Sequence, residues 1–189
     1  MISRIIQAFE KKANAEKAQK MSAYMRNKFA FFGVMAEERK GIQKEFFPLL
    51  NKHFTEEDRW ELVRELWEKP ERELTHFAID WANTFKARTY QEKDIEHIYF
   101  LLTNNSWWDS VDGLASNLLS KYNKQFPEMQ PTWLSDWRED SNFWLRRSCL
   151  IFQLKYKEHP QWQTSTEASR LTISNYPPVP LKTRISCSE

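Results

Sequence analysis

The chain has 189 residues, which fits one domain or at most two. Only three are glycine (Gly33, Gly41 and Gly113) and nine are tryptophan. The usual glycine share is about 7%. So little glycine leaves no GxGxxG or GxxxxGK[ST] cradle for phosphate, no Asn-Gly and a single Asp-Gly (Asp112-Gly113), which argues against a fold built on tight β-hairpins. What remains is a helical protein long enough to bury a core. The 28 basic residues nearly balance the 26 acidic ones. A net charge of +2 neither announces nor excludes a nucleic-acid partner, because one face can be basic while another is acidic. Cys149 and Cys187 suggest no disulfide framework, and the four histidines form no pair at metal spacing, so neither metal nor cofactor is expected. No apolar run reaches membrane-spanning length and no secretory leader opens the chain, so a cytoplasmic protein is expected.

In chain order, residues 2–19 read as one amphipathic helix with Ile5, Ile6 and Phe9 on its apolar face. A second helix is expected through Ser22–Lys28, and Gly33 marks a turn. Residues 36–52 carry Ile42, Phe46, Phe47 and Leu50 at helical spacing. Thr55 and Asp58 form a capping-box-like start for a helix ending near Trp67. Pro70 suits the first turn of the next helix, which holds Leu74, Phe77, Ala78 and Trp81. Residues 91–103 form another, with Ile95, Ile98, Tyr99 and Leu102. Further helices are expected over 106–121, 129–138 and 141–157. Three i, i+4 pairs (Leu74/Ala78, Trp108/Asp112, Trp144/Ser148) recur about every 35 residues, a period that suggests stacked helix pairs in an α-solenoid. A plain helical bundle is the alternative. From residue 158 the composition shifts: nine of the last 32 residues are Ser or Thr, and four are Pro. The expected division is therefore a helical domain over 1–157 and a tail over 158–189, extended or disordered from residue 172.

The richest stretch is Asn104-Asn105-Ser106-Trp107-Trp108-Asp109-Ser110-Val111-Asp112. Ser106 is placed to cap a helix, with Asp109 completing the pair near the positive end of the helix dipole. Trp107 and Val111 suit the core. Trp108 and Asp112 share another face, and capping does not account for Asp112. A carboxylate beside an exposed indole is a reaction-site candidate; half-buried packing and an ordinary ion pair are the competing explanation. In Asp140-Ser141-Asn142-Phe143-Trp144-Leu145-Arg146-Arg147, the neighbouring arginines point about 100° apart, so at least one should face the side carrying Asp112. An arginine fork suits phosphate, and equally a carboxylate. Arg26, Lys28, Arg39, Lys40 and Lys44 could extend a basic strip.

These motifs resemble the bacterial DNA alkylation repair glycosylases of the AlkD type, which are built from HEAT-like repeats. The resemblance rests on Ala23-Tyr24-Met25-Arg26-Asn27, on Arg64-Glu65-Leu66-Trp67 followed by Pro70-Glu71-Arg72-Glu73, on Ser106 to Asp112, and on Asn142 to Arg147 running into Leu150 to Lys157. It covers residues 1–157. It implies that Trp108 and Asp112 are catalytic and that Arg147 contacts the DNA backbone near the lesion. It also implies that Tyr24 lines the same cleft, and the expected basic strip adds Arg39 and Lys40. The implied activity is hydrolysis of the N-glycosidic bond of cationic N3- or N7-alkylated purines in double-stranded DNA, by a monomer without cofactor or metal. Family members continue past the Leu150–Lys157 segment into helices that supply a third active-site tryptophan, and residues 158–189 do not match them. Trp162 stands in the wrong context to fill that role. The tail resembles sequence downstream of a frameshift or early stop, so weakened or absent activity is expected. The alternative is a non-catalytic helical-repeat protein that binds DNA or a protein partner.

Overall fold

The computed structural model describes residues 1–156. Met1–Lys155 form one compact unit. The expected boundary at 157/158, the tail and Trp162 lie outside the described residues. Among those residues there is no strand, only an isolated bridge between Ala30 and Glu71.

Ten α-helices follow in order: α1 (Ile2–Glu10), α2 (Ala15–Tyr24), α3 (Ala36–His53), α4 (Arg59–Trp67), α5 (Arg72–Ala82), α6 (Asp94–Thr103), α7 (Trp108–Gly113), α8 (Ser120–Gln125), α9 (Gln130–Glu139) and α10 (Phe143–Ile151). A π-helical stretch, Leu114–Leu119, joins α7 to α8 in one continuous rod. Two rows repeat. Helices α4, α6 and α9 start at residues 59, 94 and 130, and helices α5, α7 and α10 at 72, 108 and 143. Each step is therefore 35 or 36 residues, the repeat expected from the sequence. Helix α3 packs on α5, α5 on α7, and α7 on α10, so the second row is a continuous stack. The core lies between the rows. Trp60, Val63, Leu66 and Trp67 of α4 meet Leu74, Phe77, Ala78 and Trp81 of α5, all fully or almost fully buried. Burying each of the valine, leucine and phenylalanine side chains among them contributes about 1.5–3 kcal/mol through removal of apolar surface from water. Five of the tryptophans are buried (Trp60, Trp67, Trp81, Trp133 and Trp137), which explains much of their number.

Several helix limits differ from the sequence reading. The expected helix over 2–19 is broken at Lys11–Asn14. There the Asn14 N–H donates to the Phe32 carbonyl at 2.8 Å, and its side chain accepts from the Lys17 N–H at 3.0 Å to start α2. Gly33 faces this break with φ +84°, and a Cβ there would lie 2.1 Å from the Asn14 carbonyl oxygen. Only glycine tolerates both demands. Helix α2 stops at Tyr24, because Arg26 and Asn27 adopt φ of +57° and +55°. Thr55 and Asp58 do bond one another, at 2.7 Å, one turn ahead of α4. Pro70 likewise precedes α5 by two residues rather than sitting within it. Helix α10 ends at Ile151, short of the expected 157.

Two buried charges in the Pro70–Glu73 segment bind the layers together. The Glu73 carboxylate, fully buried, accepts from the backbone N–H groups of Phe32, Gly33 and Val34 at 2.8–3.1 Å. It thereby satisfies a loop that has no helix of its own. Arg72, also fully buried, points toward α7.

Candidate functional site

The site is built on the first turn and a half of α7. Trp107, not Ser106, is the N-terminal cap residue. The Ser106 hydroxyl instead donates back to the Leu102 carbonyl at 2.6 Å, and Ser110 turns its hydroxyl onto Trp107. Asp109 does not act as the cap's partner either. Its carboxylate is gripped by the Arg72 fork (Nη2–Oδ1 2.6 Å, Nε–Oδ2 3.0 Å) and lies 2.8 Å from His76 Nε2. Arg72 also donates to Ser110 and to the Asn105 carbonyl, and its guanidinium lies 3.9 Å from the Phe29 ring centroid. Burial by itself would push the Asp109 carboxyl up. The hydrogen bonds from His76 and Arg72 and the Arg72 charge outweigh it and hold the group well below the carboxylate range. Because an ionised carboxylate only accepts, His76 Nε2 carries the hydrogen. This buried cluster pins the start of α7 to α5.

With that turn fixed, Trp108 and Asp112 project from another face. Trp108 keeps 41% of its surface exposed. Tyr24, at the end of α2 and well exposed, meets Trp108 edge to face with ring centroids 6.1 Å apart. Arg147 of α10 holds Asp112 with a fork in which Nε donates to Oδ1 and Nη2 to Oδ2, both at 2.7 Å. The Asp112 side chain still exposes 43% of its surface. The register explains the meeting. His76, Asp112 and Arg147 each occupy the fifth residue of α5, α7 and α10, so the helix repeat lays them side by side. Trp107 packs as expected, tilted against Trp144 at 5.8 Å, and the Lys28 ammonium lies 4.8 Å from its ring centroid.

The structure thus brings Tyr24, Trp108, Asp112 and Arg147 together. It does not bring Arg39 and Lys40 into the same cluster. Arg39 pairs with Asp80 of α5 at 3.4 Å, and Lys40 with Glu37 on its own helix at 2.7 Å. The expected basic strip is therefore partly neutralised. Arg146 is not a phosphate fork either: its guanidinium bonds the Asp140 and Ser141 carbonyls and ties down the loop before α10. Sequence reasoning missed the Arg72–Asp109–His76 cluster. The available signal was an Arg-Glu pair opening a helix with a broad apolar face, where an unpartnered buried charge would not survive. Burial also pushes the Cys149 thiol up to about 12, which removes it as a nucleophile at neutral pH. Among the described residues, no cluster of His, Cys, Asp and Glu could hold a metal, and no helix is long and apolar enough to cross a membrane.

Fold and site together define a helical-repeat protein that presents an arginine-held carboxylate beside an exposed indole. Residues 5–175 match the family model described as DNA alkylation repair enzyme, and the chain belongs to that family. A solved structure, described as a predicted DNA alkylation repair enzyme from Enterococcus faecalis, is similar over 87% of this chain and 76% of that one. It is 27% identical, with a TM-score of 0.75. No curated protein matches the chain.

Proposed function

We propose that this protein is a DNA N-glycosylase of the AlkD type, built on HEAT-like repeats and acting as a monomer on double-stranded DNA that carries N3- or N7-alkylated purines. The observation that carries this reading is the juxtaposition of Asp112, Trp108 and Arg147, with Tyr24 in T-shaped contact with Trp108. An N7- or N3-alkylated purine is already cationic, so it departs as a neutral base without a general acid. The C1′–N bond breaks, positive charge develops on the deoxyribose, and water adds to C1′ to leave an abasic site. A carboxylate at Asp112 stabilises that charge and accepts a proton from the attacking water. The Trp108 ring offers its face to the developing cation. Arg147 aims the carboxylate through its two-bond fork. No step requires a metal or cofactor.

The test is incubation of the full chain with duplex DNA containing N7-methylguanine, followed by quantification of abasic sites. Excision by the wild type that is lost in Asp112→Asn is expected. Excision that survives this substitution rules out the carboxylate mechanism. Salt-sensitive DNA binding without excision would favour a non-catalytic binding protein.

A further inference from the structure

Between α1 and α3 lies an open groove of about 490 Å³, lined by Arg4, Gln7, Lys11 and Lys12 on one side and by Gly41 and Glu45 on the other. None of these residues belongs to the Trp108–Asp112 cluster. The groove exists because Ile5 and Phe9 are the residues that α1 buries, which leaves Arg4, Lys11 and Lys12 at its rim. None of these three cations forms an ion pair among the described residues, in contrast to Arg39, Lys40 and Arg147. Glu45 is the one carboxylate in the lining, so the lining is net positive, and Glu38 lies within electrostatic reach of Lys12. Arg4 and Lys11 are seven residues apart, about 10 Å along a helix. A duplex advances about 3.4 Å along its axis per phosphate of each strand, so a stretch of this length set along that axis spans about three phosphate steps. A lone phosphate or mononucleotide would span only part of it.

We propose that this groove is a second nucleic-acid contact, holding a strand backbone away from the Trp108–Asp112 site. The inference rests on the reading that the chain engages DNA. Gly41 makes it testable with little risk to the fold. A Cβ at Gly41 meets nothing within 4 Å, and an interior helix position gains from losing glycine. Gly41→Glu therefore places a second carboxylate in the groove without crowding it.

The measurement is fluorescence anisotropy of the full chain with an undamaged labelled duplex at several salt concentrations. Arg4→Gln with Lys11→Gln should weaken binding several-fold and lower the salt slope by about 1 per cation removed. Gly41→Glu should weaken it, Gly41→Ala should not, and Glu45→Gln should tighten it. A mononucleotide should not compete. If the wild type binds duplex but Gly41→Glu and the double variant leave affinity and salt slope unchanged, the groove assignment fails and the DNA reading stands. Competition by a mononucleotide overturns the extended-strand occupant. A wild type that binds no duplex overturns both readings.

Discussion

Two arginine forks grip two aspartates on the same short helix, three residues apart, and their environments oppose one another. Arg72 is fully buried and Asp109 nearly so, and the pair shares its remaining donors and acceptors with His76, Ser110, Asn105 and the Phe29 ring. Arg147 and Asp112 form an equally short fork, but their side chains retain 21% and 43% exposure. The first pair is enclosed and has its polar groups accounted for; it fixes a helix. The second is open on one side, beside an exposed indole, and water can reach it. Fork geometry alone does not tell an enclosed pair from an open one. Solvent access and the neighbouring groups do.

The comparison breaks first at the buried pair. Arg72→Ala strands an ionised carboxylate in the core and should cost about 3–5 kcal/mol in urea unfolding; a loss under 1 kcal/mol would mean the cluster is not structural. The open pair should behave in reverse. Asp112→Asn should lower excision by about 100-fold or more while changing unfolding free energy by no more than about 1 kcal/mol. Equal losses in stability at both sites would erase the distinction. Acid sharpens the contrast. The folded-state acidity of Asp109 lies below the unfolded value of about 3.9, so its stabilisation is complete above that value and disappears only as pH falls well below it. Thermal melts of Asp109→Asn against wild type should therefore differ most at neutral pH and converge in strong acid. The smallest effect is expected at Tyr24→Phe, which keeps the edge-to-face ring contact: unfolding should shift by less than about 0.5 kcal/mol, and excision should fall only if the hydroxyl touches DNA.

Much of the fold was legible because apolar spacing records which side of each helix is buried. The 35-residue recurrence followed from the same pattern, since each helix pair repeats one burial problem. The breaks were less legible. The interruption at Lys11–Asn14 depends on Phe32 and Gly33, which the chain brings back only after forming α2. At the site, Trp108 and Asp112 could be read from their shared face, and Arg147 was singled out by resemblance. Its grip on Asp112 was not readable, because it depends on how α10 seats against α7. A local capping rule explains Asp109 well enough to hide its actual partner. The stronger demand comes from Arg72, 37 residues earlier.

The wide turn after Asp112 has a consequence for how this rod tolerates change. Within Leu114–Leu119 the Ser116 hydroxyl and the Asn117 amide donate to the Asp112 and Gly113 carbonyls, each at 2.7 Å. Such a bulge accommodates one residue more than an α-helix would need. Winding these residues as regular α-helix without removing one would turn everything after them by about 100° relative to Trp108 and Asp112. Tyr122 and Asn123, now buried, would swing out of the core. The bulge acts as a phase adjuster: it lets one helix satisfy two orientations, one set by the site and the other by the packing beyond it.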